Sequence, residues 1–307
     1  MSEPTRLDVL KTYKLFIDGK FPRTESGRTM IVHNRGGEVL AHACKASRKD
    51  LREAVESARR AQTGWSAATP YLRGQIVYRI AEMLEGRQAE FVETIENVGA
   101  AAGAKAKKPA RAKLGAISPA QREVTASTDR LVAFAGWADK YAQVLGCNNP
   151  VAGPYYNFTV PEPTGVVAVV CPDELPLLGL VSLVAPVICA GNAAVVIASE
   201  ANPLPAAILG EVLATGDLPG GVVNILTGER KELLPFVSGH RDIDAVHAAG
   251  LSAEDSKLLR EGCAENVKRV CVRAIAGEAW FDAAECHNPW WIEPFVEMKT
   301  MWHPASV

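Results

Sequence analysis

The first apolar and polar runs are short. YKLFIDGKF and then MIVHNRGGEVL, with a Gly-Gly turn, predict small strands and turns across residues 13–40. From Ser47 the period lengthens: Leu51, Val55, Ala58 and Ala61 fall on one stripe, the spacing of a helix with a single buried face. Ser47 followed three residues later by Asp50 is a plausible N-cap signature at its start. Further helices are expected over about Tyr71–Glu85 and Gln88–Asn97. Another is expected from Pro119 to about Leu145, with Ser118 as its N-cap and proline at the first helical position. Between them, residues 99–115 (GAAAGAKAKKPARAKLG) are low-complexity Ala, Lys and Gly. They read as a solvated loop or frayed helix, a basic binding patch being the minor reading. A Gly/Pro-punctuated strand pair follows in PVAGPYYNFTVPEP.

The second half has a different rhythm. GVVAVVC (165–171), NAAVVIA (192–198), GVVNILTG (221–228), DAVHAAG (244–250) and KRVCVRAI (268–275) are near-continuous apolar runs separated by helix-length segments. Strands without a polar face, alternating with helices, indicate a parallel sheet covered on both sides. The fold class is therefore α/β, a Rossmann-like sheet of about five strands preceded by a helical region. Residues 277–307 break the pattern with Trp280, Trp290, Trp291 and Trp302 and with FVEMKTMWHP, which alternates like an edge strand. So many aromatics in a short tail pack against either this chain's own sheet or a partner.

Composition narrows the classes. With 307 residues, 48% hydrophobic and 22% charged, the chain can build its core without disulfides or metals. A net charge of −2 offers no electrostatic case for nucleic acid or an anionic membrane. The start has no apolar signal region and no stretch reads as a membrane span, so a cytoplasmic location is expected. The seven cysteines lack CxxC pairing, and Cys171, Cys189 and Cys271 sit in apolar runs as small hydrophobes.

Several segments, in order, resemble the aldehyde dehydrogenases: LFIDGKF, NRGGEVL, AGWADKY (135–141), the block from EPTGVVAVVCPDELPLL to IASEANPL, LPGGVVNILTG and the terminal FVEMKTMWHP. CPDELPLL and the Trp-containing last strand resemble most closely the shortened, degenerate second domain of family 16 within that superfamily. The resemblance implies a nucleotide-binding domain over 1–145 and 165–276, an oligomerisation hairpin over 146–164, and a tail with an oligomerisation strand over 277–307. In such enzymes a neighbouring subunit's terminal strand pairs across such a hairpin and sheet edge. A homodimer, or a hetero-oligomer with a full-length aldehyde dehydrogenase, is accordingly expected.

The same resemblance locates the chemistry. The family needs a thiolate nucleophile, an oxyanion donor, a general base and NAD held for hydride transfer. Aligned on Pro172 and Pro176, the oxyanion asparagine becomes Glu174, a carboxylate that donates no N–H and repels the developing charge. The general-base glutamate becomes Arg273, which stays protonated. Only 34 residues follow Arg273, and the one cysteine among them, Cys286 in AECHNPWW, lies in no family motif, so the catalytic domain is expected to be missing. For NAD, the ribose-binding lysine becomes Ile197, the tryptophan beside the pyrophosphate becomes Asp173, and the pyrophosphate turn becomes AGLSAED. Glu200, Gly250 and Ser252 survive as vestigial cofactor-binding positions, while Asp255 stands where a helix N-terminus should meet the anion. Gly191, Gly228 and Gly250 are read as turn residues, and Asp173-Glu174 as the N-cap of the helix that follows rather than a metal site. These readings predict a non-catalytic protein without a metal or cofactor, NAD binding being the alternative. The competing readings are an NAD(P)-dependent oxidoreductase using Cys286 or Cys171, and a dinucleotide sensor without turnover.

Overall fold

The computed structural model describes residues 9–98 and 117–305; the expectation for 99–115 therefore lies outside the described residues. Three short strands open the chain: β1 (Thr12–Tyr13), β2 (Thr29–His33) and β3 (Val39–Cys44). Helices α1 (Arg48–Ala67), α2 (Pro70–Gly86), α3 (Gln88–Asn97), α4 (Pro119–Trp137) and α5 (Tyr141–Leu145) follow. The expected long helix thus breaks after Trp137. The Ser47 hydroxyl accepts from the Asp50 N–H and the Asp50 carboxylate accepts from the Ser47 N–H, so the capping box is closed in both directions. Ser118 caps α4 in the expected way, accepting from the Gln121 N–H.

Strands β4 (Cys147–Asn149) and β5 (Tyr155–Pro163) form the hairpin. Five strands alternating with four helices come next: β6 (Val166–Val170), α6 (Leu178–Cys189), β7 (Ala193–Ile197), α7 (Leu204–Thr215), β8 (Val223–Leu226), α8 (Arg230–Gly239), β9 (Ala245–Ala249), α9 (Ala253–Ala264) and β10 (Arg269–Arg273). The tail contains 3-10 turns, the short helix α10 (Ala283–Cys286) and the last strand β11 (Val296–Pro304).

The central sheet is parallel throughout, with strand order β10-β9-β6-β7-β8. Every residue of β6, β7, β8 and β9 is buried, because both faces are covered. Side-chain alternation divides each strand between two layers. Val166, Ala168 and Val170 pack with Leu51 and Val55 of α1, Leu233 of α8 and Leu259 of α9. Val167 and Val169 face the other way, toward Leu180 and Leu183 of α6, Phe134 of α4 and Leu209 of α7. Trp280, Trp291, Ile292 and Phe295 belong to this second layer, so the tail supplies its cover beside β9 and β10.

Two expectations are corrected. Asp173 and Glu174 do not cap α6: its N-cap is Leu177, without a side-chain bond. The carboxylate of Glu123, on α4, accepts the Leu177 and Leu178 N–H groups instead, at 2.8 and 3.2 Å. Pairing of the hairpin also differs. β11 lies antiparallel on β5 of its own chain, from Val296 opposite Pro163 to Pro304 opposite Tyr155. The hairpin edge is thus filled in cis, and β11 becomes an outer strand of the sheet β11-β5-β4, as its alternation suggested. Among the described residues no helix is long and apolar enough to cross a membrane.

Candidate functional site

After β6 the chain moves one way to β7 and β8, then returns to the other side of β6 for β9 and β10. Ligands of open α/β sheets bind outside the carboxyl ends of the strands at such a switch point. The segments after β6, β7 and β9 carry Glu174, Glu200, Gly250 and Ser252, and Arg273 is the last residue of β10.

Beyond β6, β7 and β8 the surface is polar and closed on itself. Asp173 accepts from the Ser199 hydroxyl at 2.9 Å, from the Glu200 and Ala201 N–H groups at 2.9 and 3.2 Å, and from both terminal nitrogens of Arg230 at 2.9 and 2.8 Å. Arg230 also donates to the Cys171 carbonyl at 2.7 Å. Burial alone would raise the Asp173 carboxyl, but the Arg230 guanidinium and these donors outweigh it and hold the group below its usual range. Glu200 accepts the Arg230 N–H at the first turn of α8. The end of α8, where an anion could sit, is capped from within the chain. Ile197 is fully buried in the core.

The turn after β9 is closed in the same spirit. Gly250 has φ +64°, and a side chain there would reach 2.8 Å from the Pro172 Cβ, so this turn and the loop after β6 lie against each other. Ser252 is the N-cap of α9, its hydroxyl accepting from the Asp255 N–H at 3.0 Å, and Asp255 occupies the first turn. Gly191, at φ +94°, is likewise a turn residue.

Beyond β6 and β10 the closure is aromatic. The Glu174 carboxylate accepts from the Gly277 N–H at 3.2 Å and from the Trp280 indole at 3.1 Å. Arg273 stacks over the Trp291 ring, 4.3 Å from its centroid, and its Nε donates to Nε2 of His247 at 3.1 Å. His247 is completely buried and its Nδ1 lies 2.9 Å from the Leu183 carbonyl. Since Nε2 accepts from Arg273, the proton is on Nδ1. Burial, and then the adjacent guanidinium, keep this imidazole neutral with a pKa well below the ordinary value. It takes no part in ion pairing.

Neither thiol fits a nucleophile. Cys286 is fully buried, 3.5 Å from the Ala279 carbonyl, and burial raises its pKa despite the opposing pull of Arg130. Burial pushes Cys171 up to about 12. Reactive cysteines are partly exposed and ionise easily; these two do the opposite. No group of three or more His, Cys, Asp or Glu side chains converges as metal ligands among the described residues. A surface groove of about 800 Å³ lies elsewhere, lined by Tyr71, Leu72 and Tyr78 of α2 and Val132 of α4.

The structure therefore brings Glu200, Gly250 and Ser252 to one end of the sheet, each with an internal task, and sets Glu174 and Arg273 against the tail. Sequence reasoning missed Arg230, Arg130, His247 and Glu123. A signal existed for two of them: Glu123 and Arg130 fall on the same buried stripe of α4 as Val124, Leu131 and Phe134, where a charge needs a specific partner.

Comparisons with known proteins agree with this architecture. The chain is 30% identical over 264 residues to the putative aldehyde dehydrogenase DhaS of Bacillus subtilis, covering 84% of this chain and 50% of that protein. It is 32% identical over 262 residues to the cytosolic aldehyde dehydrogenase 1 of Elephantulus edwardii, covering 84% of this chain and 49% of the other. Among solved structures, the NAD+ complex of the Bacillus cereus aldehyde dehydrogenase superposes with a TM-score of 0.74 at 26% identity, covering 85% of this chain and 50% of that one. A mutant of Pseudomonas syringae aldehyde dehydrogenase C, bound to NAD+ and octanal, gives 0.72 at 30% identity over the same shares. The chain spans about half the length of the curated relatives it matches. Residues 21–277, most of this chain, match the model of the aldehyde dehydrogenase family, and the chain belongs to that family.

Proposed function

We propose that this chain is a non-catalytic member of the family, a pseudoenzyme serving as a structural or assembly subunit. In kind it is closest to the shortened second domain of family 16. Its partner is a second copy or a full-length aldehyde dehydrogenase. One observation carries this reading: the chain's own side chains satisfy the groups that would receive a dinucleotide and an aldehyde. Glu200 and Ser252 cap the two helix ends, Arg230 neutralises Asp173, and the tail lies on Glu174 and Arg273. A pyrophosphate brought to this surface would meet the carboxylates of Asp173 and Glu200 and find no free helix end. These residues do not fit NAD.

Glu174 also supports the reading chemically. An oxyanion site works by donors aimed at developing charge, and losing one costs about 10²–10³ in rate before any repulsion is counted. Retention of the hairpin and of β11 supports assembly: among the described residues β11 is an outer strand, and an uncovered edge is a template for pairing with another chain.

The competing reading, an NAD(P)-dependent aldehyde oxidoreductase, draws on the NAD+ complexes among the structural relatives. Calorimetric titration with NAD+ followed by an aldehyde turnover assay separates the two. The non-catalytic reading expects no saturable heat and no turnover. Turnover that disappears in Cys286→Ala would overturn it. Light scattering after size exclusion tests assembly, and a monomer at micromolar concentration, alone and with an aldehyde dehydrogenase from the same host, would count against it.

A further inference from the structure

We propose that residues 277–295 form a strap seated across the place where the family handles its carbonyl, and that Glu174, Arg130 and Arg273 are its hooks. The first hook takes the strap's beginning: the Glu174 carboxylate holds the Gly277 N–H and the Trp280 indole. The second comes from below. Arg130 is 1% exposed, and its terminal nitrogens donate to the Trp280 carbonyl at 2.7 Å and the Ser182 hydroxyl at 2.5 Å. Among the described residues the Cys286 thiol, not a carboxylate, is the titratable group that faces this guanidinium, and its Nε has no partner. A buried charge left this sparsely answered is costly, so Arg130 depends on the strap's carbonyl as much as the strap depends on Arg130. The third hook, Arg273, lies over Trp291.

The far end is fixed independently. The Phe295 carbonyl accepts from the Asn192 side chain at 2.9 Å and from the Thr164 N–H at 3.2 Å, immediately before β11 starts. Between these anchors Trp280, Cys286, Ile292 and Phe295 are fully buried, and the Trp280 and Trp291 ring centroids are 6.3 Å apart. The strap thus fills the space between positions 174 and 273 with its own rings. It is tied at one end by the Glu174, Arg130 and Arg273 side chains, and at the other by the Asn192 amide and the Thr164 N–H just before β11. Opening would begin at the Glu174 end, because the β11 ladder holds the other.

The inference rests on the non-catalytic reading only for the origin of the hooks, and its test does not use turnover or NAD. Hydrogen exchange with mass spectrometry would compare the full chain with Glu174→Ala and Arg130→Met. Peptides within 277–291 are expected to exchange at least tenfold faster in each variant while peptides of β6, β7 and β8 keep their protection. Glu174→Gln, which retains an acceptor oxygen for the indole, is expected to fall between Glu174→Ala and the parent. If Arg130→Met does not fold, the exposed Glu174 pair still decides the matter. Unchanged exchange over 277–291, or acceleration shared equally by the whole sheet, would overturn the strap as a separate unit.

Discussion

The two halves of the sheet's carboxyl end are closed by opposite physics. Beyond β6, β7 and β8 a bidentate ion pair, Asp173 with Arg230, is surrounded by N–H donors from neighbouring loops. Beyond β10 two indoles and a phenyl ring from the tail cover the sheet, the directional bonds there serving mainly to tie the tail's backbone and indoles to it. A polar closure demands geometry and returns little net stability, since each bond replaces one to water. An aromatic closure demands only area, and each buried ring contributes substantially. The first specifies which loops meet; the second holds the tail on.

That contrast predicts unequal costs. Trp280→Ala removes a fully buried ring and should destabilise the chain by about 3–5 kcal/mol in denaturant unfolding; a loss under about 1 kcal/mol would mean that the tail adds little to the fold. Glu123 lies between the two closures, on α4 and against the start of α6. Burial raises its carboxyl to about 7, two backbone N–H bonds opposing, so the folded chain holds this proton more tightly than the unfolded chain does. Its contribution is therefore complete below about pH 4.5 and is lost as pH rises through about 7, a decline of about 3 kcal/mol. Melting curves across that window should lose this decline in Glu123→Gln; an unaltered pH profile would refute the assignment.

The polar closure should yield less. The Asp173 side chain is 41% exposed, so after solvent screening Asp173→Ala should cost about 1–2 kcal/mol. Most of that should vanish against an Arg230→Met background, because both changes break one pair; full additivity in the double-mutant cycle would deny the coupling. Its pH dependence runs opposite to that of Glu123: a depressed carboxyl supports the fold above its ordinary range and loses that support as pH falls. The smallest expected effect is on the surface thought to be abandoned. Ser252→Ala should weaken the α9 cap by about 1 kcal/mol, visible as a small shift in chemical denaturation, and leave calorimetric titration with NAD+ as flat as before. A binding signal in the parent that this change removes would restore Ser252 as a cofactor contact.

Much of the fold was legible because it depends on local rules. All five parallel strands lie within their apolar runs, α3 spans the expected residues, and the Ser47 and Ser118 caps form as their spacing suggests. The sequence also carried the basis of the proposed non-catalytic role, since a carboxylate donates no N–H and a guanidinium is no base wherever Glu174 and Arg273 point. What those residues do instead was not legible. Glu174 reaches an indole 106 residues away, and Asp173 an arginine 57 residues away. Local spacing offered Asp173 and Glu174 to α6 as caps, and a residue 54 positions upstream took the place.

Sequence alone determined the sheet and its two-sided burial, because periodicity and side-chain chemistry are carried by each residue and its near neighbours; the identities of Glu174 and Arg273, on which the proposed loss of the reacting groups rests, were likewise in the sequence. Only the tertiary structure decided the distant pairings: Glu123 beneath α6, Arg230 on Asp173, the tail over β9 and β10, and β11 on its own β5. Such pairings depend on which distant surfaces the packed layers bring together, and several carboxylates and arginines in the chain could satisfy them equally well until the backbone chooses.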